Sequence, residues 1–271
     1  MIRNILSLLL IEELLRFRHL LAGLVGRSLK AVYTGSMIGA AWVYFKPLIV
    51  ILAYYFVFDQ VLSIRLDLES SGTGSYALYL LSGLLPWLVF SDAVIEGATS
   101  LVREAELLKK TRFPIVLIPA KSVITAAVKI FPLLLLIWLV SVVTAEGRVH
   151  GVVLLALWIA VQIQLTYYIA IMLAIMSAAL RDVGLLVESI FPMLLFFSPV
   201  LYPLDKVPDA FQWLLWLNPF TPLAQGYHAI LLRGEIPALF DLAVVGSWIL
   251  VTLLICHLLL RRSQEYLVDW L

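Results

Sequence analysis

Charge is scarce in this chain: 14% of its 271 residues are Asp, Glu, Lys or Arg, while 63% are hydrophobic. An ordinary soluble domain carries about a quarter charged residues. A mean hydropathy of +1.02 makes lipid the main solvent of this protein. The net charge of +1 gives no hint of nucleic-acid binding, which wants a strongly basic surface, and no nucleic-acid partner is expected. Cys256 is the single cysteine, so an intrachain disulfide is excluded. In its apolar run it reads as a small buried hydrophobe. No Gly-x-x-x-x-Gly-Lys-Ser/Thr run occurs, so the backbone cradle for nucleotide phosphates is missing. The four histidines are scattered, and no His/Cys/Asp/Glu group has metal spacing. No residue pattern argues for an enzyme. Charges at Arg3, Glu12, Glu13, Arg16 and Arg18 interrupt the N-terminal apolar stretch, so no cleavable signal peptide is expected.

What is present is a set of long apolar runs. A membrane-crossing helix needs about 20 such residues at 1.5 Å rise each. Six runs qualify, at 36–58, 76–100, 114–143, 151–180, 185–202 and 238–260. The expected fold is an all-α membrane protein with six transmembrane helices in one domain over 1–271. Residues 1–35 form an interfacial N-terminal part, 36–260 the six-span bundle and 261–271 a cytoplasmic tail. At 100° per residue, Glu12, Arg16, His19, Arg27 and Lys30 share an arc of about 80°. This predicts an amphipathic helix along the membrane surface, or two broken near Gly23 and Gly26, with a seventh span as the alternative. Between spans five and six, 203–237 mixes prolines with Phe211, Trp213, Leu214, Leu215 and Trp216, which predicts short re-entrant helices at the interface.

Basic residues give the orientation. Twelve Lys and Arg flank the spans on one side: Arg3, Arg16, Arg18, Arg27, Lys30, Arg103, Lys109, Lys110, Arg112, Arg181, Arg261 and Arg262. Four lie on the other: Arg65, Arg148, Lys206 and Arg233. The positive-inside rule then places both termini in the cytoplasm, as an even number of spans requires. A membrane passage without a nucleotide site implies a channel or permease. Its energy comes from an ion gradient or from a separate subunit.

Three groups of residues could carry that work. Leu-Val-Arg-Glu-Ala-Glu-Leu-Leu-Lys-Lys-Thr-Arg at 101–112 reads as one short helix, with Glu106 placed to pair with Lys109 and Lys110. Phe113-Pro114 ends it, because proline disfavours helix at the residue before it. This is either a positive-inside loop or a rigid lever that another subunit grips through Arg103, Glu104, Glu106, Lys109, Lys110 and Arg112. Ionisable residues within spans are costly and face the protein interior or water. Asp92 and Glu96 share one helix face, where Lys121 or Lys129 could pair with them; a proton relay is the other reading. Aromatics are plentiful. Trp42, Tyr44, Tyr54, Tyr55, Trp87, Tyr167 and Tyr168 could line a conduit by stacking on the C–H faces of sugars, or they pack the core. Leu81-Ser82-Gly83 matches a fragment of an ATPase signature, but it sits within an apolar run and reads as coincidence. Asp67 and Glu69 form a weak acidic pair in a loop.

In order along the chain, several motifs resemble one family. Tyr33-Thr34-Gly35-Ser36-Met37-Ile38-Gly39 with Trp42 and Pro47 resembles the first-span entry in permeases of ATP-binding-cassette polysaccharide exporters. Tyr79-Leu80-Leu81-Ser82-Gly83-Leu84-Leu85-Pro86-Trp87 is similar to their second-span pattern, and Leu108-Lys109-Lys110 with Phe113-Pro114 and Pro119 to their coupling region. Arg181-Asp182-Val183, Ser198-Pro199-Val200-Leu201-Tyr202-Pro203 and Leu217-Asn218-Pro219-Phe220-Thr221-Pro222 with Gly226-Tyr227 complete the set. One position departs, since Val32 stands where the family often has a basic residue; Lys30 is close by.

The resemblance implies a homodimer in the bacterial inner membrane, joined by two cytoplasmic ATP-binding-cassette subunits that bind ATP and Mg. This chain would hold no cofactor itself. The resemblance also implies a glycan on an undecaprenyl-type lipid as cargo: an O-antigen, capsule or teichoic-acid chain. The 203–237 helices would gate the periplasmic end through Tyr202, Trp213, Trp216, Asn218 and Tyr227. An exporter of a drug, lipid or small glycolipid is the alternative.

Overall fold

The computed structural model describes residues 10–31, 42–61, 75–110, 113–144, 151–263 and 266–270. Among them the chain is helical, without a strand. Four helices are long and apolar enough to cross a membrane. These are α4 (Tyr76–Ala98), α7 (Leu117–Thr144), α8 (Gly151–Ala179) and α12 (Leu239–Ser263). Each matches an expected span to within three residues at either end. The expected first span is described from Trp42 onward, as α3 (Trp42–Tyr55) and a π-helical turn (Phe56–Val61).

The expected fifth span behaves differently. Helix α9 (Asp182–Leu194) stops after 13 residues. The chain then tightens into three-residue turns, with Phe196, Phe197 and Ser198 N–H donating to the carbonyls of Met193, Leu194 and Leu195. Asn218 explains the stop, because its Nδ2 takes the carbonyls of Leu194 at 3.0 Å and Phe197 at 3.1 Å. Carbonyls freed at a helix end need such partners.

Helix α4 is the hub, packing against α3, α7, α8 and α9. Small residues let its neighbours approach closely. A Cβ on Gly97 would lie 2.7 Å from that of Ala170 in α8. Pro86 sits inside α4, where a proline leaves one helical carbonyl without its N–H partner. Gln162 of α8 reaches this turn, and its Nε2 donates to the Pro86 carbonyl at 2.8 Å. This bond ties α8 to the proline turn, while the carbonyl that Pro86 itself leaves open is that of Ser82, four residues earlier.

The N-terminal part forms α1 (Ile11–Arg16) and α2 (Arg18–Ala31). The break falls at Phe17 instead of near Gly23 and Gly26. An interior glycine costs a helix only about 1 kcal/mol, and nothing lies within 4 Å of a Cβ added at either one, so α2 runs through both. Arg16, His19, Arg27 and Lys30 are exposed, and Leu21 and Val25 are buried on the side facing α7. Cys256 is buried between α12 and α8, its Sγ 2.9 Å from the Tyr168 carbonyl.

Candidate functional site

The two ends of α4 carry different chemistry. With 23 residues, α4 is about 35 Å long, so its ends are separated by roughly a bilayer core. At its C-terminal end the chain makes two short helices, α5 (Ser100–Arg103) and α6 (Ala105–Lys110), where one was expected. The break at Glu104 brings its carboxylate to Lys121 of α7, Oε1 to Nζ 2.8 Å. Lys121 thus pairs with Glu104 and not, as the sequence suggests, with Asp92 or Glu96. Leu101 and Leu108 are buried and anchor the segment, while Arg103, Glu106, Lys109 and Lys110 face outward. Arg103 is held by its side-chain bonds to Thr99. Lys110 and Glu106 pair at 2.9 Å with both side chains more than 70% exposed, so this pair adds little to stability. The result is a firmly seated stub that presents charges outward. Arg112, the Tyr33–Gly39 motif and the acidic pair at Asp67 and Glu69 lie outside the described residues.

At the other end, the proline-rich stretch folds into α10 (Asp209–Trp216) and α11 (Phe220–His228), the latter continued by a π-helical turn (Ala229–Arg233). Helix α11 is buried in the bundle. Its Tyr227 hydroxyl donates to Gln162 Oε1, and Trp158 Nε1 of α8 donates to the Leu223 carbonyl at 3.0 Å. Gly226 lies against the Trp158 ring, where a Cβ would sit 2.2 Å from ring carbons. From α4, Tyr76 and Tyr79 donate to the carbonyls of Leu201 and Pro199 at 3.0 and 2.9 Å. Of the five gate candidates, Asn218 and Tyr227 are therefore buried staples. Tyr202 is half-buried and bonded to the Phe196 carbonyl. Trp213 is 62% exposed, and Trp216 packs edge-to-face on Phe240, ring centroids 4.8 Å apart.

The aromatic candidates separate in the same way. Trp87, Tyr167 and Tyr168 are core side chains of a single protomer. Trp87 meets Phe220 edge-to-face at 5.0 Å, and the Tyr168 hydroxyl accepts from Gln164 at 3.1 Å. Trp42 and Tyr44 are exposed on α3, and Tyr54 and Tyr55 are half-buried. Among the described residues no group of three or more His, Cys, Asp or Glu is placed to hold a metal ion.

Over residues 19–232 the sequence matches the family model of the ABC-2 type transporters. The chain belongs to the ABC-2 type transporter family. It is a transporter membrane subunit and not an enzyme. The chain is 31% identical over 247 residues to the O-antigen export system permease protein RfbA of Myxococcus xanthus, covering 88% of this chain and 92% of that one. A protein of the same name from Klebsiella pneumoniae is 25% identical over 221 residues, covering 80% of this chain and 82% of its own. The inner membrane transport permease YadH of Escherichia coli K12 is 23% identical over 224 residues, covering 80% and 87%.

Two residues that tie short elements to the long helices are not evident in the sequence as such. Gln162 bridges Pro86 of α4 to Tyr227 of α11. Its signal was available, since an amide inside a 29-residue apolar helix needs partners as surely as a charge does. Glu104, a lever candidate in the sequence, has a half-buried side chain tied to Lys121. Only tertiary packing carries that information.

Proposed function

We propose that this chain is the membrane-spanning subunit of an ATP-driven exporter that moves a lipid-linked polysaccharide out of the bacterial cytoplasm. The observation that carries the reading is the match, along almost the whole of both chains, to a permease named for O-antigen export. Two copies of the chain form the conduit, and two cytoplasmic ATP-binding-cassette subunits bind ATP and Mg2+. Each copy crosses the inner membrane six times, counting α3 and the α9 region with the four long helices, and has both termini in the cytoplasm.

The charged stub suits the lever role. Its outward charges, Glu106 and Lys109 among them, are free of the core, while Leu101, Leu108 and the Glu104–Lys121 pair transmit force to α4 and α7. Helices α1 and α2 lie along the cytoplasmic surface, where their basic face meets anionic headgroups and guides the carrier lipid inward. The glycan passes between the copies along the exposed aromatics of α3, Trp42 and Tyr44. Helices α10 and α11 are re-entrant and close the outer end, and Trp213 seats α10 in the headgroup layer.

Replacing Glu106 and Lys109 together with alanine tests the lever. Because both are exposed, the variant folds normally and keeps partner ATPase activity, but export falls at least tenfold. Unchanged export in that variant would remove the lever assignment. Resemblance to a permease named only for transport favours a second cargo class, a drug, lipid or small glycolipid. Stimulation of ATPase activity by such a compound and not by carrier-linked glycan would select it.

A further inference from the structure

Three of the cavities in this protomer differ in kind. One lies under α1 against α7 and α8, and a second lies between α7 and α8; their linings are almost wholly apolar and suit lipid. The third, about 320 Å3, opens where the 3-10 turn Leu204–Lys206, α10, α11 and the start of α12 converge. It is at the opposite end of α4 from the charged stub, because Tyr79, in the first turn of α4, forms part of its floor. Its volume falls within the range of small-molecule sites, about 300–1,000 Å3.

The lining combines flat apolar walls with hydrogen-bonding groups of both kinds. Trp216 and Phe240 make one wall as an edge-to-face pair. Asp205 and Asp241 offer carboxylate oxygens, Arg233 offers guanidinium donors, and Gln225 offers one of each. Arg233 is oriented by Glu235 at 3.2 Å. On the floor, His228 packs at a tilt against Tyr79, with ring centroids 4.2 Å apart. His228 is buried, and its Nε2 faces Gly83 of α4, where an added Cβ would come within 3.0 Å of it.

The charges narrow the ligand. Two carboxylates against one guanidinium repel a phosphate or carboxylate group. Donors and acceptors beside an aromatic wall fit a ring that carries hydroxyls on its edge and C–H bonds on its face. We propose that this pocket binds one neutral sugar residue, with Trp216 under the ring face and Asp205, Asp241 and Gln225 on its hydroxyls. The identity of that sugar as part of the exported polymer rests on the export reading above. Each protomer then holds the emerging chain at the outer end, so that the polymer does not slide back between ATP cycles.

The test uses the full-length chain in lipid nanodiscs and saturation-transfer NMR with the methyl glycosides of glucose, galactose, mannose and rhamnose. Choline and inorganic phosphate serve as the charged comparisons. At least one glycoside is expected to saturate, with the strongest transfer to its ring C–H protons. Trp216→Ala should weaken it about tenfold, the scale of losing an aromatic stacking contact. Asp205→Asn, at an exposed rim position, gives a second variant that does not disturb packing and should weaken binding as well. No saturable glycoside, a glycoside insensitive to both variants, or preferential binding of choline or phosphate would overturn the proposal. Deleting the chain in its host reads the export assignment separately. Glycoside binding with unchanged surface glycan keeps the pocket and removes export, whereas lost surface glycan without glycoside binding does the reverse.

Discussion

Helices α4 and α12 both have the length and apolarity to cross a membrane, but they meet different surroundings. Of the most apolar stretch of α4, 72% is buried inside the protomer, against 17% for α12. Helix α4 is enclosed by α3, α7, α8 and α9, while α12 leans on α8 and α11 and turns Leu250, Leu254 and Leu258 outward. Hydropathy reports that a helix belongs in lipid. It does not report whether the helix touches lipid. In α4 the difference is written in small residues and internal polar bonds, namely Gly97 against Ala170, the Ser82 hydroxyl on the Tyr79 carbonyl, and Gln162 on Pro86. Helix α12 also carries hydroxyl bonds to its own carbonyls, from Ser247 and Thr252, but its glycine is open: a Cβ added at Gly246 would meet nothing within 4 Å.

The sharpest way to break this contrast is a pair of glycine substitutions. Gly97→Leu forces a side chain into Ala170 and should destabilise the protomer by about 3 kcal/mol or more, whereas Gly246→Leu should leave it unchanged. Thermal unfolding in detergent reads both, and equal effects would contradict the asymmetry. Next in size is Tyr227→Phe, which leaves Gln162 Oε1 unpartnered in the core. A loss of about 2 kcal/mol is expected, and a neutral result would show that the bridge between α8 and α11 is dispensable.

Lys121→Met removes the partner of half-buried Glu104 and should cost about 1 kcal/mol, because solvent screens the exposed side of the pair. Its effect on export should exceed that modest cost, since the pair joins the stub to α7. Smallest are Leu250→Ala and Leu254→Ala on the bare face of α12, expected within about 0.5 kcal/mol for the protomer in detergent. A larger loss that depends on protein concentration would transfer this face from lipid to a contact between copies.

The long helices could be read from the sequence because apolar length is a local property. Helices α4, α7, α8 and α12 begin and end within three residues of the expected runs. The short elements could not, since their limits are set by distant partners. Helix α9 ends where Asn218 claims its carbonyls, 21 and 24 residues away in the chain. The stub bends where Glu104 finds Lys121, 17 residues on. Aromatic abundance was visible, but the sorting of Trp87, Tyr167 and Tyr168 into the core and of Trp42 and Tyr44 onto the surface depends on which helix faces are covered. The polar outer pocket was least legible. Its residues, from Tyr79 to Asp241, come together only when α4, α11 and α12 assemble.

The central claim is export of a carrier-linked polysaccharide. Depleting this chain in its host and fractionating the glycan tests it most directly. The account predicts that polymer accumulates on its lipid carrier at the cytoplasmic face while the cell surface loses it. Normal surface glycan with no cytoplasmic accumulation would contradict the claim and move the cargo to a smaller lipid or drug.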